Sequence, residues 1–599
     1  MKRRIIGAGI LFLVVFSLLI AQLVHIQLVK PKAYSNHRIN LLESSVKQRI
    51  DEITLDDGRG GFLDRHGQPI SYQEKSVLIM FPFVKHLQWP ADEVAAIIGV
   101  EKEVLLRRLK EEEEPFIFHN QMVKELTQKQ MQLINDLHIP GIIAVQRREA
   151  ITNPPATHLL GSLTLNKDDI DAVNKSGNIP VDYQTKVGKT GLQKAFQMFL
   201  QGDGSKKLVY HKAANGLPMF GVDIRYLDEG RSGEKINIQT TIDQDYQKLA
   251  EQIANRNSLK KGGIVLLDVK TNDILAIVSM PALNKEVSNQ GNHNQMITPQ
   301  TPGSVFKTVI AAAAIEEGLL VNSRQFNGNL DHLDRPVDQN TGRLLGTVDF
   351  KTGFALSSNQ VFGVLGKELA VKNPNLIEDY ADRLGLIEPA GWSGKVFHTP
   401  VIKQLPEERK GVIWKDPSMK KDENYVANTS IGQLNVKLSP LAIANMMATI
   451  ARGGERKMVR AATKAVDDNG LTIATFKEKE PEGKAISKVT ASKLQELLRG
   501  VVTATGKYST AGNLSQAKYE VAGKSGTAEI GAKENKQNQR YNKWFAGYFP
   551  FQKPKYAMVV VNLDTEGQTG AVTPLFLQMV NGIHEIDQKR EEERNLVEN

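Results

Sequence analysis

The chain has 599 residues, 41% of them hydrophobic and 24% charged, a composition of folded protein and a length sufficient for several domains. Its 76 Lys and Arg against 67 Asp and Glu leave a charge of +9, yet the basic residues are scattered without an arginine-rich or aromatic-interleaved patch, so no nucleic-acid partner is expected. The lack of cysteine excludes structural disulfides, thiolate metal sites, a cysteine nucleophile and a lipid-modified cysteine anchor.

After Met1-Lys2-Arg3-Arg4 comes IIGAGILFLVVFSLLIAQLV, Ile5 to Val24, a run without a charge. As a helix it spans about 30 Å, the thickness of a bilayer core. A cleaved signal peptide has a shorter apolar region and a small-x-small exit, whereas this run continues through His25-Ile26-Gln27-Leu28-Val29, so a retained anchor over 5–29 is expected, with residues 1–4 as a tail. Lys30, Lys32 and Arg38 follow it nearly as closely as Lys2, Arg3 and Arg4 precede it, and charge alone does not set its orientation.

Residues 30 to about 80 are polar with short β-like runs. From Pro90 to about Leu137, apolar residues recur at three and four in EVAAIIGVEKEVLLRRL and ELTQKQMQLINDL, which predicts amphipathic packing helices. From about Ile238 the texture becomes that of one large α/β unit. IVLLDVKTNDILAIV reads as two strands joined at Lys270-Thr271-Asn272-Asp273, and YEVAGKSGTAEI, NKWFAGYFP and KYAMVVVNLD read as three more. A sheet of about five strands is therefore expected from both ends of the unit, with a mostly helical middle over 304–500 and a charged, solvated helical tail from 587 to 599.

Two Gly-Lys-Ser/Thr triplets invite a phosphate-loop reading, at 523–525 and 188–190. A phosphate loop also needs glycine five residues before the triplet, and those positions hold Lys518 and Tyr183. Lys524 requires another explanation. Between the expected strands lies TPGSVFKTVIAAAAIEEG, where Pro302-Gly303 marks a turn, Ser304 suits a helix start, and Val305 to Glu317 continues as a largely apolar helix ended by Gly318. Ser304 and Lys307 share one helical face, close enough for the amine to take the hydroxyl proton, and backbone N–H groups at the helix start can stabilise an oxyanion.

Ser-x-x-Lys is common: it also begins at Ser44, Ser232, Ser258, Ser418 and Ser515. Only at Ser304 is it preceded by the turn and followed by the apolar helix, which gives the lysine a reason to be a desolvated neutral base. Two further elements follow in order: Ser357-Ser358-Asn359, and Lys524-Ser525-Gly526-Thr527 on a strand succeeded by two more strands.

This ordered trio resembles the penicillin-binding proteins, specifically class B, the monofunctional peptidoglycan transpeptidases. The resemblance covers almost the whole chain: RGGFLDRHGQPIS (59–71) is similar to the family's N-terminal signature, ATHLLG (156–161) and GKTGLQ (188–193) to two pedestal motifs, TTIDQDYQ to the entry into the catalytic domain, and WFAGYFP to the strand after the third motif. Phe62 stands for the usual isoleucine, Gln193 for a glutamate, and Gly432-Gln433-Leu434 for a commoner Gly-Gln-Gly. The family implies an α/β (α+β) transpeptidase domain of the penicillin-binding-protein/β-lactamase type over 236–586, an antiparallel sheet with helices on both sides, and an elongated α+β dimerisation-type pedestal over 30–235.

It also implies roles. Ser304 would attack the carbonyl between two terminal D-alanines of a peptidoglycan stem peptide with Lys307 as base, and an amine of a second stem would resolve the ester as a cross-link. Ser357 would relay the proton to the leaving amine, and Asn359 would hold the substrate amide. Lys524 would repel a proton from Lys307 and attract the substrate carboxylate, with Ser525 and Thr527 as donors, Gly526 between them, and the N–H groups of Ser304 and Thr527 as oxyanion hole. β-Lactams would acylate Ser304. No cofactor or metal is implied; Asp331-His332-Leu333-Asp334 and Asp338 lack calcium or zinc spacing and read as a polar loop. The family places the catalytic part outside a bacterial cytoplasmic membrane held by one helix, beside a SEDS-type glycan polymerase. A D,D-carboxypeptidase and a non-catalytic scaffold are the alternatives; a β-lactamase or penicillin receptor fits the long pedestal and single span poorly.

Overall fold

The computed structural model describes residues 2–29, 50–118, 125–176, 181, 183, 185–202, 204–211, 225–228, 235–283, 293–320, 323–338, 342–396, 399–531, 539–567 and 571–598. Helix α1, Lys2–Val24, continues as a wider helical turn over His25–Val29. An 18-residue window within Arg4–Val29 has a mean hydropathy of 2.5, and none of that window is buried within the protein. A helix of this length and composition, exposed along its whole surface, meets the requirements of a membrane span.

The chain divides into two units, residues 1–59, 72–150 and 202–234 in the first and 60–71, 151–201 and 235–599 in the second. In the first, Tyr72–Met80 pairs antiparallel with Ile142–Ala150 and with Phe116–Ile117, and Ile50–Asp56 pairs with Lys206–His211, itself paired with Arg225–Asp228. The expected amphipathic segments form helices Ala91–Ile98, Lys102–Glu111 and Gln128–Asp136, whose Val94, Leu105 and Ile134 are fully buried in the core of this unit. Residues 60–71 and 151–201 fall within the stretch read from the sequence as pedestal, and they pack in the second unit. Phe62–Leu63 lies parallel to Ile236–Thr240, and Phe62 is wholly buried.

The second unit is built on strands β1 Gly262–Asp268, β2 Ile274–Met280, β3 Ala522–Ile530, β4 Arg540–Phe549 and β5 Tyr556–Glu566, ordered β2-β1-β5-β4-β3 with every neighbouring pair antiparallel. This is the expected five-stranded sheet made from both ends of the domain. β1 and β5 read as unbroken apolar runs because both their faces are covered, and Ile264 to Leu267 and Ala557 to Val561 are fully buried. Helices α2 Gln244–Arg256 and α7 Thr573–Glu598 lie together against one face, and α5 Pro440–Ala451 and α6 Lys488–Thr503 against the other. Helices α3 Lys307–Glu316 and α4 Asn359–Lys372 complete the core, with eight consecutive residues of α3, Lys307 to Ala314, buried. β3 stands at the sheet edge.

The middle of the domain is mostly helical, as expected, and it also holds a hairpin, Ala462–Asp467 and Thr472–Thr475, that joins Ile236–Thr240 and Phe62–Leu63 in a second, four-stranded sheet. One expectation differs from what is observed: no separate tail begins at 587, because α7 is one continuous helix through that point. Asp587 accepts from the hydroxyls of Tyr246, Tyr519 (2.7 Å) and Tyr556 (2.9 Å), while Arg590 grips Asp243, the N-cap of α2, with two bonds of 2.7 and 2.8 Å. Only residues 591–597 beyond this clamp are uniformly exposed. Replacing Asp587 by Ala takes the acceptor from Tyr519 and leaves the Tyr246 and Tyr556 hydroxyls only each other, 3.0 Å apart, so Asp587→Ala should lower stability by about 2 kcal/mol, read as the urea midpoint of the catalytic unit's unfolding transition.

Candidate active site

The segment carrying Ser304 is tighter than a simple helix start. Gly303–Phe306 forms a single 3₁₀ turn, Ser304 O accepts from Lys307 N, and α3 begins only at Lys307. Gly303 has φ +57°, and a Cβ there would lie 2.3 Å from Thr527 O, so the turn rests directly on the backbone of β3. From the strand side, a Cβ on Gly526 would lie 2.6 Å from Pro302 O and 2.8 Å from a methyl of Val305. The loop at Gly432 closes the third side, with Gly303 N donating to Gly432 O at 3.0 Å. From β4, Trp544 Nε1 donates to Thr301 O at 3.0 Å.

The second motif enters from helix Phe350–Ala355 through Ser357, which holds φ +57° although it is not glycine. A non-glycine residue in this region carries conformational strain, of order 1 kcal/mol, that surrounding structure must offset. Here both its carbonyl and its hydroxyl are aimed at the amine of Lys307. Lys307 Nζ lies 2.9 Å from Ser357 O, 3.2 Å from Ser357 Oγ and 2.7 Å from Asn359 Oδ1. Ser358 caps α4, through its Oγ facing Val361 N, and so fixes where Asn359 begins.

Ser304, Ser357, Asn359, Ser525 and Thr527 line one cleft of about 540 Å³. Lys307 and Lys524 are wholly buried, Lys307 5.5 Å from the centre of the Phe362 ring and Lys524 5.8 Å from that of Phe354. Gly526 contributes no lining; its part is the close approach of β3 to the Ser304 turn. All eight residues singled out from sequence thus come together here, five lining the cleft, the two lysines buried and Gly526 at the contact of β3 with the Ser304 turn.

Burial, then the charge of Lys524, then that of Arg343 hold the Lys307 amine well below its ordinary value, and burial and Arg343 bring Lys524 down to about 7. Among the described residues no carboxylate pairs with Lys307, Lys524 or Arg343. Arg343, Tyr508 and Thr510 went unnoticed in the sequence because they form no motif. Arg343 Nη2 donates to Leu356 O and to Tyr508 O, both at 2.7 Å, and Ser525 Oγ donates to Thr510 Oγ1 at 2.8 Å. Asp331 is engaged with Arg335, and His332 Nε2 faces Asn428 Oδ1 at 3.0 Å.

A serine three residues before a wholly buried lysine, in a cleft that also holds Ser357, Asn359 and Arg343 and lies against an edge strand, is the arrangement of a serine acyltransferase of the penicillin-recognising fold. Residues 262–580 match the penicillin binding protein transpeptidase domain, and residues 55–237 the penicillin-binding protein dimerisation domain. The chain belongs to the penicillin-binding protein transpeptidase family. It is 26% identical over 414 residues to the peptidoglycan D,D-transpeptidase PbpA of Mycobacterium tuberculosis, an overlap of 63% of this chain and 75% of that one. It is 22% identical over 630 aligned residues to the peptidoglycan D,D-transpeptidase MrdA of Escherichia coli, covering 97% and 94% of the two chains. A chain of a peptidoglycan synthase complex that coordinates polymerisation and crosslinking superposes with a TM-score of 0.63 at 20% identity, over 97% of this chain and 98% of the other. The penicillin-binding protein PBP2 bound to MreC from Helicobacter pylori superposes at 0.56, with 19% identity over 90% and 99%.

The contact at Gly526 has no slack. Gly526→Ala should part β3 from the Ser304 turn and slow acylation of the protein by a fluorescent penicillin by roughly 10²-fold, the cost of an ångström-scale displacement of reacting groups.

Proposed function

We propose that this chain is a peptidoglycan D,D-transpeptidase working through an acyl-enzyme on Ser304. The observation that carries the reading is the Lys307 amine, fully buried and facing Ser357 and Asn359 three residues after Ser304. A neutral amine at that point donates to Ser357 O and Asn359 Oδ1 and keeps one lone pair. That lone pair serves the Ser304 hydroxyl during attack on the carbonyl between two terminal D-alanines. The ammonium then formed can pass its proton through the Ser357 hydroxyl, 3.2 Å away, to the nitrogen of the departing D-alanine. The reverse sequence deprotonates the incoming amine of a second stem peptide, which takes the acyl group and leaves Ser304 free.

Lys524, with the hydroxyls of Ser525 and Thr527, receives the terminal carboxylate of the donor peptide. Its charge and the carboxylate's attract across a desolvated site, where the interaction is stronger than in water. The backbone N–H groups of Ser304 and Thr527 serve the oxyanion, a role consistent with the contact of their two segments. The edge position of β3 suits addition of the extended peptide as a further strand. β-Lactams enter as acyl donors whose ring opens on Ser304.

The apolar helix α1 anchors the protein in a bacterial cytoplasmic membrane as a single span with the catalytic unit outside, where stem peptides are. Transpeptidation needs glycan strands made elsewhere, and the likeness to a chain from a polymerising and crosslinking complex favours a membrane polymerase of the SEDS type as partner. The residues matching the dimerisation domain, read as a pedestal over 30–235, carry no part of the proposed chemistry.

Intact mass after incubation with benzylpenicillin tests the reading. The wild type should gain one drug mass, Ser304→Ala should gain none, and Lys524→Ala should react roughly 10²-fold more slowly. With a donor stem peptide and an added amine, the transpeptidase yields the amide product, whereas hydrolysis alone would make the protein a carboxypeptidase. Wild type that stays unmodified beside intact drug would sink the catalytic reading.

A further inference from the structure

The proposed chemistry leaves one cation in the cleft without a task. Arg343 borders the same cavity as Ser304, Ser357, Ser525 and Thr527, and among the described residues it has no carboxylate partner. It is not loose: one terminal nitrogen, Nη2, is shared at 2.7 Å between Leu356 O, which immediately precedes Ser357, and Tyr508 O. Its guanidinium carbon lies 5.3 Å from the centre of the Tyr508 ring. Two residues further on, Thr510 Oγ1 accepts from Ser525 Oγ, so this one side chain ties the strained Ser357 turn to the segment that steadies the Ser525 strand.

We propose that Arg343 is a positioning residue of the acylation machinery, a permanent positive charge fixed over the two buried lysines that keeps the Lys307 amine free of its proton while its hydrogen bonds hold the Ser357 turn in place. The inference rests on Lys307 being the base for Ser304. Lys524 alone is an unreliable repeller, because burial and the neighbouring guanidinium bring it down to about 7, and each time it loses its own proton its repulsion of a proton on Lys307 vanishes. A guanidinium does not deprotonate in a protein and supplies that repulsion without interruption. The arrangement also explains the missing carboxylate: an acid paired with Arg343 would cancel the field that Lys307 experiences.

Other groups face this trio. On the polar loop beside α4, Asp331 is taken up by Arg335 at 2.7 Å, and the His332 imidazole is held low by burial, which leaves it neutral. At the rim stand Glu529 on β3, exposed, and Tyr541 on β4, with Lys543 5.3 Å from that ring, and Tyr508 lies against Arg343 itself. None of these is a second fixed cation at the floor of the cleft.

The test is the pH profile of the second-order acylation rate with a fluorescent penicillin, on the full chain in detergent micelles. Arg343→Gln and Arg343→Met remove the charge, the glutamine keeping a donor for the two carbonyls; Arg343→Lys keeps the charge. Removal of a like charge raises the pKa of a lysine, so the acid limb of both neutral variants should move up by roughly one pH unit. The rate below that limb should then fall about tenfold, with a smaller loss on the alkaline side. Arg343→Lys should keep the wild-type limb. An unmoved limb in the neutral variants, a loss equal at every pH, or a lysine variant that shifts with the neutral ones would overturn the inference. Failure of the wild type itself to acylate would instead overturn the assignment of Ser304 and Lys307 on which it rests.

Discussion

The site depends on a lysine amine deprived of both water and counter-ion. In water an amine of this kind stays protonated near neutrality and is useless as a base. Burial disfavours its charged form, and two neighbouring cations disfavour it further. A carboxylate at salt-bridge distance would undo both effects. The three neutral acceptors around Lys307, two oxygens of Ser357 and one of Asn359, orient the amine without restoring its charge as strongly as an acid would. That distinction separates a structural lysine from a reactive one.

In the proposed role as base, Lys307 works only if Ser304 is held within reach, and that constraint propagates into the fold. The Ser304 turn has backbone packed on two sides, against Thr527 of the edge strand and against Gly432, and glycine stands at each contact because no Cβ fits. β3 in turn holds its place through continuous pairing with β4, from Ala522 opposite Tyr548 to Ile530 opposite Arg540. The five-stranded sheet is therefore the ruler against which Ser304 is set. β3 is the last strand of that sheet, and the glycine at 526 keeps it close to the Ser304 turn.

The same physical logic explains which parts were legible from residues alone. The Ser304 segment announced itself because a turn, a serine, a lysine and an apolar helix occur together, and the central strands did so because burial on both faces forces unbroken apolar runs such as Met558 to Val561. Arg343 did not, since its position depends on carbonyls at 356 and 508 that no local spacing encodes. The hairpin over 462–475 had a turn signal in Asp468-Asn469-Gly470, but its strands are short and its partners, at 236–240 and 62–63, are distant in sequence. The tail boundary failed for a related reason: Asp587 and Arg590 look like solvated charges until the three tyrosines and the α2 cap that receive them are seen. Leu434, noted as a departure from a commoner glycine, has φ +56°, the backbone region in which glycine is at ease. Leu434 thus holds a backbone conformation that suits glycine better.

A cleft that gathers two buried lysines and Arg343, with no carboxylate paired to them among the described residues, beside a strained serine opposes folding, and the rest of the catalytic unit must offset it. Its means are visible in the packing. α3 is buried along eight residues, the central strands are covered on both faces, and the C-terminal helix closes the unit by capping the helix that opens it, through Arg590 on Asp243. Apart from Lys307, the first residue of α3, these contacts involve none of the cleft's groups. Stability is thus concentrated in the frame, where paired charges and apolar burial can be optimised freely, and withheld from the site, where pairing the lysines would make them inert. On the proposed reading, the terminal carboxylate of the donor peptide supplies a counter-charge when it enters, so binding relieves a repulsion that folding left in place.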